Sequence, residues 1–113
     1  MEKKNKTLKE TFTSALQNYK SKDFKSAELL CKKIISIDFN HFDSIFLLAT
    51  LSALQGNFKE SKKLLLRAFE IQPNHSGVNN NLGNAYKELG EYNEAKNHYN
   101  KVLEIDPNNT NAH

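Results

Sequence analysis

The segment NNLGNAYKELGEYNEA, residues 80–95, has the apolar spacing of a helix, yet it contains two glycines and four asparagines. Glycine destabilises a helix interior by roughly 1 kcal/mol relative to alanine, and asparagine favours caps and turns. Comparison of the sequence with itself explains these residues, because the same pattern recurs with a period of 34 residues and no gap. Three blocks result, and they cover residues 8–41, 42–75 and 76–109.

Small side chains recur at the eighth and twentieth places of every block, and an aromatic ring recurs at the seventeenth. The small residues are Ala15, Ala49, Gly83, Ala27, Ser61 and Ala95, and the aromatic residues are Phe24, Phe58 and Tyr92. Because the distance between two packed helices depends on the side chains at their contact, small residues at fixed places predict two closely packed helices in each block. A side chain larger than alanine at Ala15, Ala49 or Gly83 is predicted to push the helices apart.

A turn is predicted near the fifteenth place of each block, which holds Lys22, Gly56 or Gly90. Glycine just after a helix adopts the left-handed conformation that satisfies the last carbonyls. The second helix follows, with apolar residues three and four apart, as in FKSAELLCKKIISI over residues 24–37. Proline marks its end in the later blocks, and the asparagine after that proline, Asn74 or Asn108, is predicted to cap the next helix.

These residues resemble the pattern of the tetratricopeptide repeat family. The third block carries most of the pattern, at Leu82, Gly83, Tyr86, Gly90, Tyr92, Ala95, Tyr99 and Pro107. It departs at Asn79, where the family often has tryptophan, and at Val102, where alanine is usual. In the second block Ser52 replaces the usual tyrosine, and the first block is the most divergent.

The resemblance implies an all-α fold, an αα superhelix or solenoid of three helix-turn-helix repeats. The predicted organisation is a basic N-terminal tail over 1–7, repeats over 8–41, 42–75 and 76–109, and the start of a further repeat or a tail over 110–113. In this family the first helices of the repeats line a concave groove. By analogy, the partner-binding groove is predicted to include Phe12, Leu16, Tyr19, Phe46, Leu47, Thr50, Leu54, Asn80, Asn81, Asn84 and Lys87.

The contents of this groove predict a protein-interaction scaffold that binds a peptide or helix of a partner. The first two blocks offer apolar surface for one side of a helix, and the third offers amides that both donate and accept hydrogen bonds. The string NNLGN is similar to the asparagine ladder in the repeat arms of O-linked N-acetylglucosamine transferases, although only Asn81 and Asn84 match it; a coding bias towards asparagine is the alternative. Without cations at the clamp places of chaperone-tail binders, no binding of an acidic tail is predicted.

Other function classes have little support in the sequence. The net charge of +3 is too small to indicate a nucleic-acid partner, and no apolar run approaches the roughly 20 residues of a membrane span. The single cysteine, Cys31, is predicted to be a buried, inert thiol. We find no catalytic, cofactor-binding or metal-binding constellation and predict a non-enzymatic, cytoplasmic protein. His41 and His75 are predicted to be loop residues, and His98 to be exposed.

Two further hypotheses remain open. The chain could be the N-terminal arm of a larger enzyme, such as a glycosyltransferase or sulfotransferase, or it could be a self-assembling repeat module. Because no capping helix follows the third block, an apolar flank around Tyr99, Val102 and Leu103 is predicted to be partly uncovered and to promote self-association.

Overall fold

A computed structural model describes residues 7–108, within which α-helices are the only regular secondary structure. The helices are α1 (Leu8–Lys20), α2 (Phe24–Ile37), α3 (Phe42–Leu54), α4 (Phe58–Ile71), α5 (Ser76–Glu88) and α6 (Tyr92–Ile105). Each packs most extensively on its neighbours in sequence, and α1 with α3 and α3 with α5 make smaller contacts. The array is elongated, measuring 57 × 25 × 23 Å. The predicted all-α solenoid is confirmed, while the predicted tails lie, apart from Thr7, outside the described residues.

The turn inside each helix pair has the same backbone conformation in all three repeats. Gly56 and Gly90 have φ values of 77° and 80°, and Lys22 has a φ of 67°. The left-handed conformation predicted for the glycines is therefore confirmed. Lys22 adopts it as well, although a side chain costs roughly 1–2 kcal/mol in this region.

Histidine, and not asparagine, caps the first helix of the second and third repeats. Nδ1 of His41 accepts a hydrogen bond from the backbone N–H of Ser44 at 3.3 Å, and Nδ1 of His75 accepts one from Val78 at 3.1 Å. The predicted cap at Asn74 is therefore wrong, because the acceptor must come from the residue directly before the helix. The same prediction for Asn108 concerns a helix outside the described residues.

The core follows the small residues of the repeats. Ala15, Ala27 and Ala49 are fully buried in one cluster, together with larger residues such as Cys31 and Leu65. Burial raises the pKa of the Cys31 thiol to about 12, which fits the predicted inert cysteine. None of the six helices within residues 7–108 combines the length and the apolar character that crossing a bilayer requires.

Gly83 is more constrained than the sequence indicates. A Cβ atom at this position would lie 2.5 Å from Cε1 and 2.6 Å from Cδ1 of the Tyr99 ring. The close packing predicted at Gly83 is therefore tighter than a limit of alanine implies, because the tyrosine on α6 fills the space that a methyl group would need.

Candidate partner-binding groove

Two adjoining depressions lie along the face formed by α1, α3 and α5. The first has a volume of about 240 Å³, and its lining residues are Phe12, Leu16, Tyr19, Asp43, Phe46, Leu47 and Thr50. The second has a volume of about 180 Å³, and its lining residues are Thr50, Ala53, Leu54, Phe58, Asn81, Asn84 and Ala85. Thr50 lines both, so the two depressions are neighbours along α3.

Most of the predicted groove residues line these depressions, but they differ in accessibility. Leu47 is only 7% exposed and belongs to the hydrophobic core, whereas Leu54 is 57% exposed. Phe46 is half-buried, with its ring centroid 6.0 Å from that of Phe42 and 5.2 Å from that of His75. Leu47 and Phe46 therefore help to build the groove wall, and Leu54 offers the more accessible apolar contact.

The amides of α5 occupy different environments. The Tyr99 hydroxyl donates a hydrogen bond to Oδ1 of Asn84, so the side-chain N–H groups of this exposed asparagine remain for another acceptor. Asn81 lines the second depression. Oδ1 of Asn80 is buried without a hydrogen-bond partner among the described residues, and Lys87 is exposed. Neither Asn80 nor Lys87 lines the two depressions.

Asn79 is the centre of a buried hydrogen-bond network that the sequence did not predict. The Asn79 side chain is fully buried, and its Nδ2 donates hydrogen bonds to the carbonyls of Pro73 at 2.9 Å and His75 at 3.0 Å. Its Oδ1 lies 2.9 Å from Nδ1 of His98. Because both amide hydrogens of Asn79 are already used, Nδ1 of His98 must be the donor in this pair.

The His98 side chain is half-buried in the structure, so the prediction that it is exposed is wrong. Its ring stacks on that of Tyr86 with a centroid distance of 5.5 Å and meets the edge of Phe69 at 5.4 Å. The burial of His98 could not be predicted from the sequence, because its neighbours in sequence are polar and burial is predicted mainly from apolar spacing. The only signal for this network is Asn79 itself, which is polar at a place where the family has a large apolar residue.

Acidification is expected to destabilise the fold through His98. Burial lowers the pKa of this imidazole, and the nearby Glu94 only partly opposes the shift. The unfolded chain then binds a proton more readily, so the free energy of unfolding should decline as the pH falls below the ordinary histidine value of about 6.5. Urea unfolding at about pH 7.5 and about pH 5.5 measures the decline, which should be smaller in His98→Gln, whose amide can still donate to Asn79. If the free energy of unfolding declined equally in the wild type and in His98→Gln, His98 would not be the cause of the pH dependence.

The sequence matches tetratricopeptide repeat models at two places, residues 42–75 and 78–109. No curated protein sequence matches the chain. Similar solved structures include the Arabidopsis OM64 TPR domain, which is 19% identical with a TM-score of 0.87 over 93% of this chain and 87% of that one. The first TPR of Spaghetti (RPAP3) bound to an HSP90 peptide is 20% identical, with a TM-score of 0.85 over 90% and 81% of the two chains.

A mutant O-GlcNAc transferase from Thermobaculum terrenum is also similar. It is 25% identical with a TM-score of 0.84 over 89% of this chain, and the chain covers 19% of the length of the transferase. The two repeat-model matches together span more than half of the sequence. The six helices and the left-handed turns fit the same pattern, and the chain belongs to the tetratricopeptide repeat family.

Proposed function

We propose that the protein is a non-enzymatic interaction module that binds a segment of a partner polypeptide in the groove along α1, α3 and α5. The observation that carries this proposal is the pair of neighbouring depressions that share Thr50, with aromatic and aliphatic residues in the first and amides in the second. Apolar side chains of the segment would pack on Phe12, Tyr19 and Leu54. The free N–H groups of Asn84 would donate to one of its carbonyls.

The groove composition favours an apolar segment over an acidic one. No lysine or arginine of the described chain lines either depression, and Asp43 contributes a carboxylate to the first. The similar first TPR of Spaghetti holds an HSP90 peptide, which supports peptide binding as a general mode for this fold. For this chain we propose a partner segment with apolar side chains, because an anionic tail would meet no cation there.

Replacing Leu54 by glutamate is expected to weaken binding of such segments at least about tenfold, since it places a charge on the accessible apolar contact of the groove. Peptides selected from a random displayed library on the wild-type protein serve as probes, and their Kd values are measured by calorimetry. Leu29→Glu is the matched control, because Leu29 is 60% exposed on α2 and Leu54 is 57% exposed.

The two leucine variants separate groove binding from general surface effects. Peptides that bind the groove should bind Leu29→Glu as tightly as the wild type and should also bind Asn84→Ala more weakly. If Leu29→Glu weakens binding as much as Leu54→Glu does, or if no peptide is enriched on the wild-type protein, the groove is not the binding surface.

A second candidate function is that the repeats form the arm of a larger enzyme. It is favoured by the similarity to the O-GlcNAc transferase, of which the chain covers 19%. The length of the open reading frame and the mass of the cellular protein test this proposal. A cellular protein of about the mass of the chain itself, 12.9 kDa, would reject it. Cytoplasmic location is likewise a proposal, and cell fractionation tests it.

Self-assembly through α6 has less support from the structure. Val102, at the centre of the predicted apolar flank, is fully buried, and Tyr99 lies against Gly83 with its hydroxyl bonded to Asn84. Tyr92 and Ile105 are the exposed large apolar residues of this helix. Tyr99 and Leu103 are half-buried, so the flank is partly uncovered, and light scattering over a concentration series measures any association through it.

A further inference from the structure

The second repeat has a small serine where the third repeat has a tyrosine, and a depression lies beside that serine. Tyr86 of α5 and Ser52 of α3 lie 34 residues apart and occupy the same place of the repeat. The Tyr86 ring has the Lys62 ammonium 5.2 Å from its centroid and stacks on His98. Burial is the main cause that raises the pKa of its phenol, and the carboxylates of Glu91 and Glu94 act in the same direction.

The positions around Tyr86 have counterparts around Ser52, where no ring fills the space, but their chemistry differs, since an anionic glutamate replaces the Lys62 cation. The places of Lys62, Glu91 and Glu94 are held, one repeat earlier, by Glu28, Asn57 and Glu60. These three residues line a depression of about 350 Å³, whose other lining residues are Lys32, Leu48, Ser52 and Gln55. Its volume is at the lower end of the range for small-molecule pockets, about 300–1,000 Å³.

This depression, which we name the Ser52 pocket, is separate from the groove. Thr50 and Leu54 line the groove, and the helical period places Ser52 and Leu48 on the other side of α3. The Ser52 hydroxyl donates to the carbonyl of Leu48 at 3.1 Å, so it is already satisfied inside its own helix. The buried Leu48 provides apolar surface at the base of the pocket.

Polar groups at the rim form an ordered cluster. Nζ of Lys32 lies 2.8 Å from Oε2 of Glu28, and Nε2 of Gln55 donates to Oε1 of the same carboxylate at 3.2 Å. These two hydrogen bonds are the main causes that lower the pKa of Glu28. Lys32 pairs with Glu28, while Glu60 adds a second carboxylate to the lining, so the rim is rich in oxygen acceptors for a hydrogen-bond donor.

We propose that the Ser52 pocket is a binding site for a phenol ring, supplied by a tyrosine side chain of a partner protein. The ring packs on Leu48 in the space that corresponds to the Tyr86 ring, and its hydroxyl donates to the carboxylate of Glu28 or Glu60. This inference goes beyond the groove and does not depend on it. It rests on the repeat geometry, because the equivalent place one repeat later holds a phenol ring, and on Glu28 and Glu60, whose carboxylates supply acceptors for the hydroxyl in place of the Lys62 cation.

The probe for the test is N-acetyl-tyrosinamide, titrated into the full chain and followed by the amide signals of Ser52, Gln55 and Asn57 in NMR spectra. We expect saturable shifts of these signals, and about two- to tenfold weaker binding of N-acetyl-phenylalaninamide, which lacks the hydroxyl. Tighter binding of N-acetyl-argininamide at the same amides would overturn the phenol assignment. Shifts that depend on protein concentration without the probe would assign the pocket to a tyrosine of a second copy and overturn the partner assignment.

Ser52→Tyr is expected to fill the pocket from within, to abolish the response to the probe and to raise Tm by about 4–8 °C. Ser36→Tyr is the matched control, because Ser36 is also a helical serine whose hydroxyl donates to a carbonyl of its own helix, that of Lys33, but it is exposed on α2. The control should keep the response. Ser52→Leu serves as a second blocking variant if the tyrosine variant folds poorly. Retained probe binding in a folded blocking variant, or no saturable shift in the wild type, would overturn the proposal.

Discussion

Asn79→Asp is expected to destabilise the fold by about 3–5 kcal/mol at neutral pH, the cost of a buried charge without a suitable partner. Nδ2 of Asn79 donates to the carbonyls of Pro73 and His75, so a carboxylate oxygen in its place would face two acceptors. The side chain is fully buried, and water cannot reach it to compensate. Urea unfolding measures the loss as a lower midpoint with an unchanged slope.

Asn84→Asp is the matched control for this change. It makes the same amide-to-acid replacement on the same helix, but Asn84 is exposed and its Oδ1 already accepts the hydroxyl of Tyr99. The control should change stability by less than about 0.5 kcal/mol, as is usual for surface substitutions. Equal losses in the two variants would mean that the Asn79 network contributes nothing beyond a general effect of negative charge on α5.

The pH dependence of Asn79→Asp gives a second check. Burial raises the pKa of the introduced carboxyl above its unfolded value, so the loss of stability should grow as the pH rises from the unfolded carboxyl value of about 3.9 through the raised folded value. Protonation of His98, which faces the introduced group, adds to the relief at acid pH. Acidification should therefore narrow the gap between variant and wild type, and a gap that widens on acidification would contradict this account.

The fold could be predicted from the sequence because each of its requirements is local and recurs in every repeat. The left-handed turns at Gly56 and Gly90 need a residue without a side-chain penalty, and glycine at the same place of two blocks shows that need directly. The buried alanines at 15, 27 and 49 follow the same logic, since a close helix contact requires a small residue in each repeat. A period of 34 residues then predicts the stacking of the pairs.

The details of the groove and of the buried network could not be predicted in the same way. Leu47 and Leu54 are identical in chemistry, but one belongs to the core and the other is mostly exposed, and the difference depends on how α1 and α5 pack on α3. Likewise, Asn79 and His98 are 19 residues apart and form a hydrogen bond only after α5 and α6 have packed. Such contacts depend on side-chain directions, which residue types and their spacing do not specify.

Gly83→Ala is expected to destabilise the protein by about 1–2 kcal/mol, although alanine favours a helix over glycine by roughly 1 kcal/mol. The added methyl carbon would lie 2.5 Å from the Tyr99 ring, and moving the ring away would break its hydrogen bond with Asn84. The overpacking cost must therefore exceed the gain in helix propensity. Urea unfolding at neutral pH measures the difference, and a variant more stable than the wild type would show that Tyr99 moves aside freely.

The second repeat supplies the compensating change. It has alanine at the place of Gly83 and leucine at the place of Tyr99, namely Ala49 and Leu65, and both are fully buried. Tyr99→Leu alone should cost about 1–2 kcal/mol because it removes the ring that fills the space beside Gly83. In the double variant the methyl group occupies space that the ring has left, so the combined loss should be smaller than the sum of the single losses by at least about 1 kcal/mol. Additive losses would mean that these two side chains do not determine how closely α5 and α6 approach.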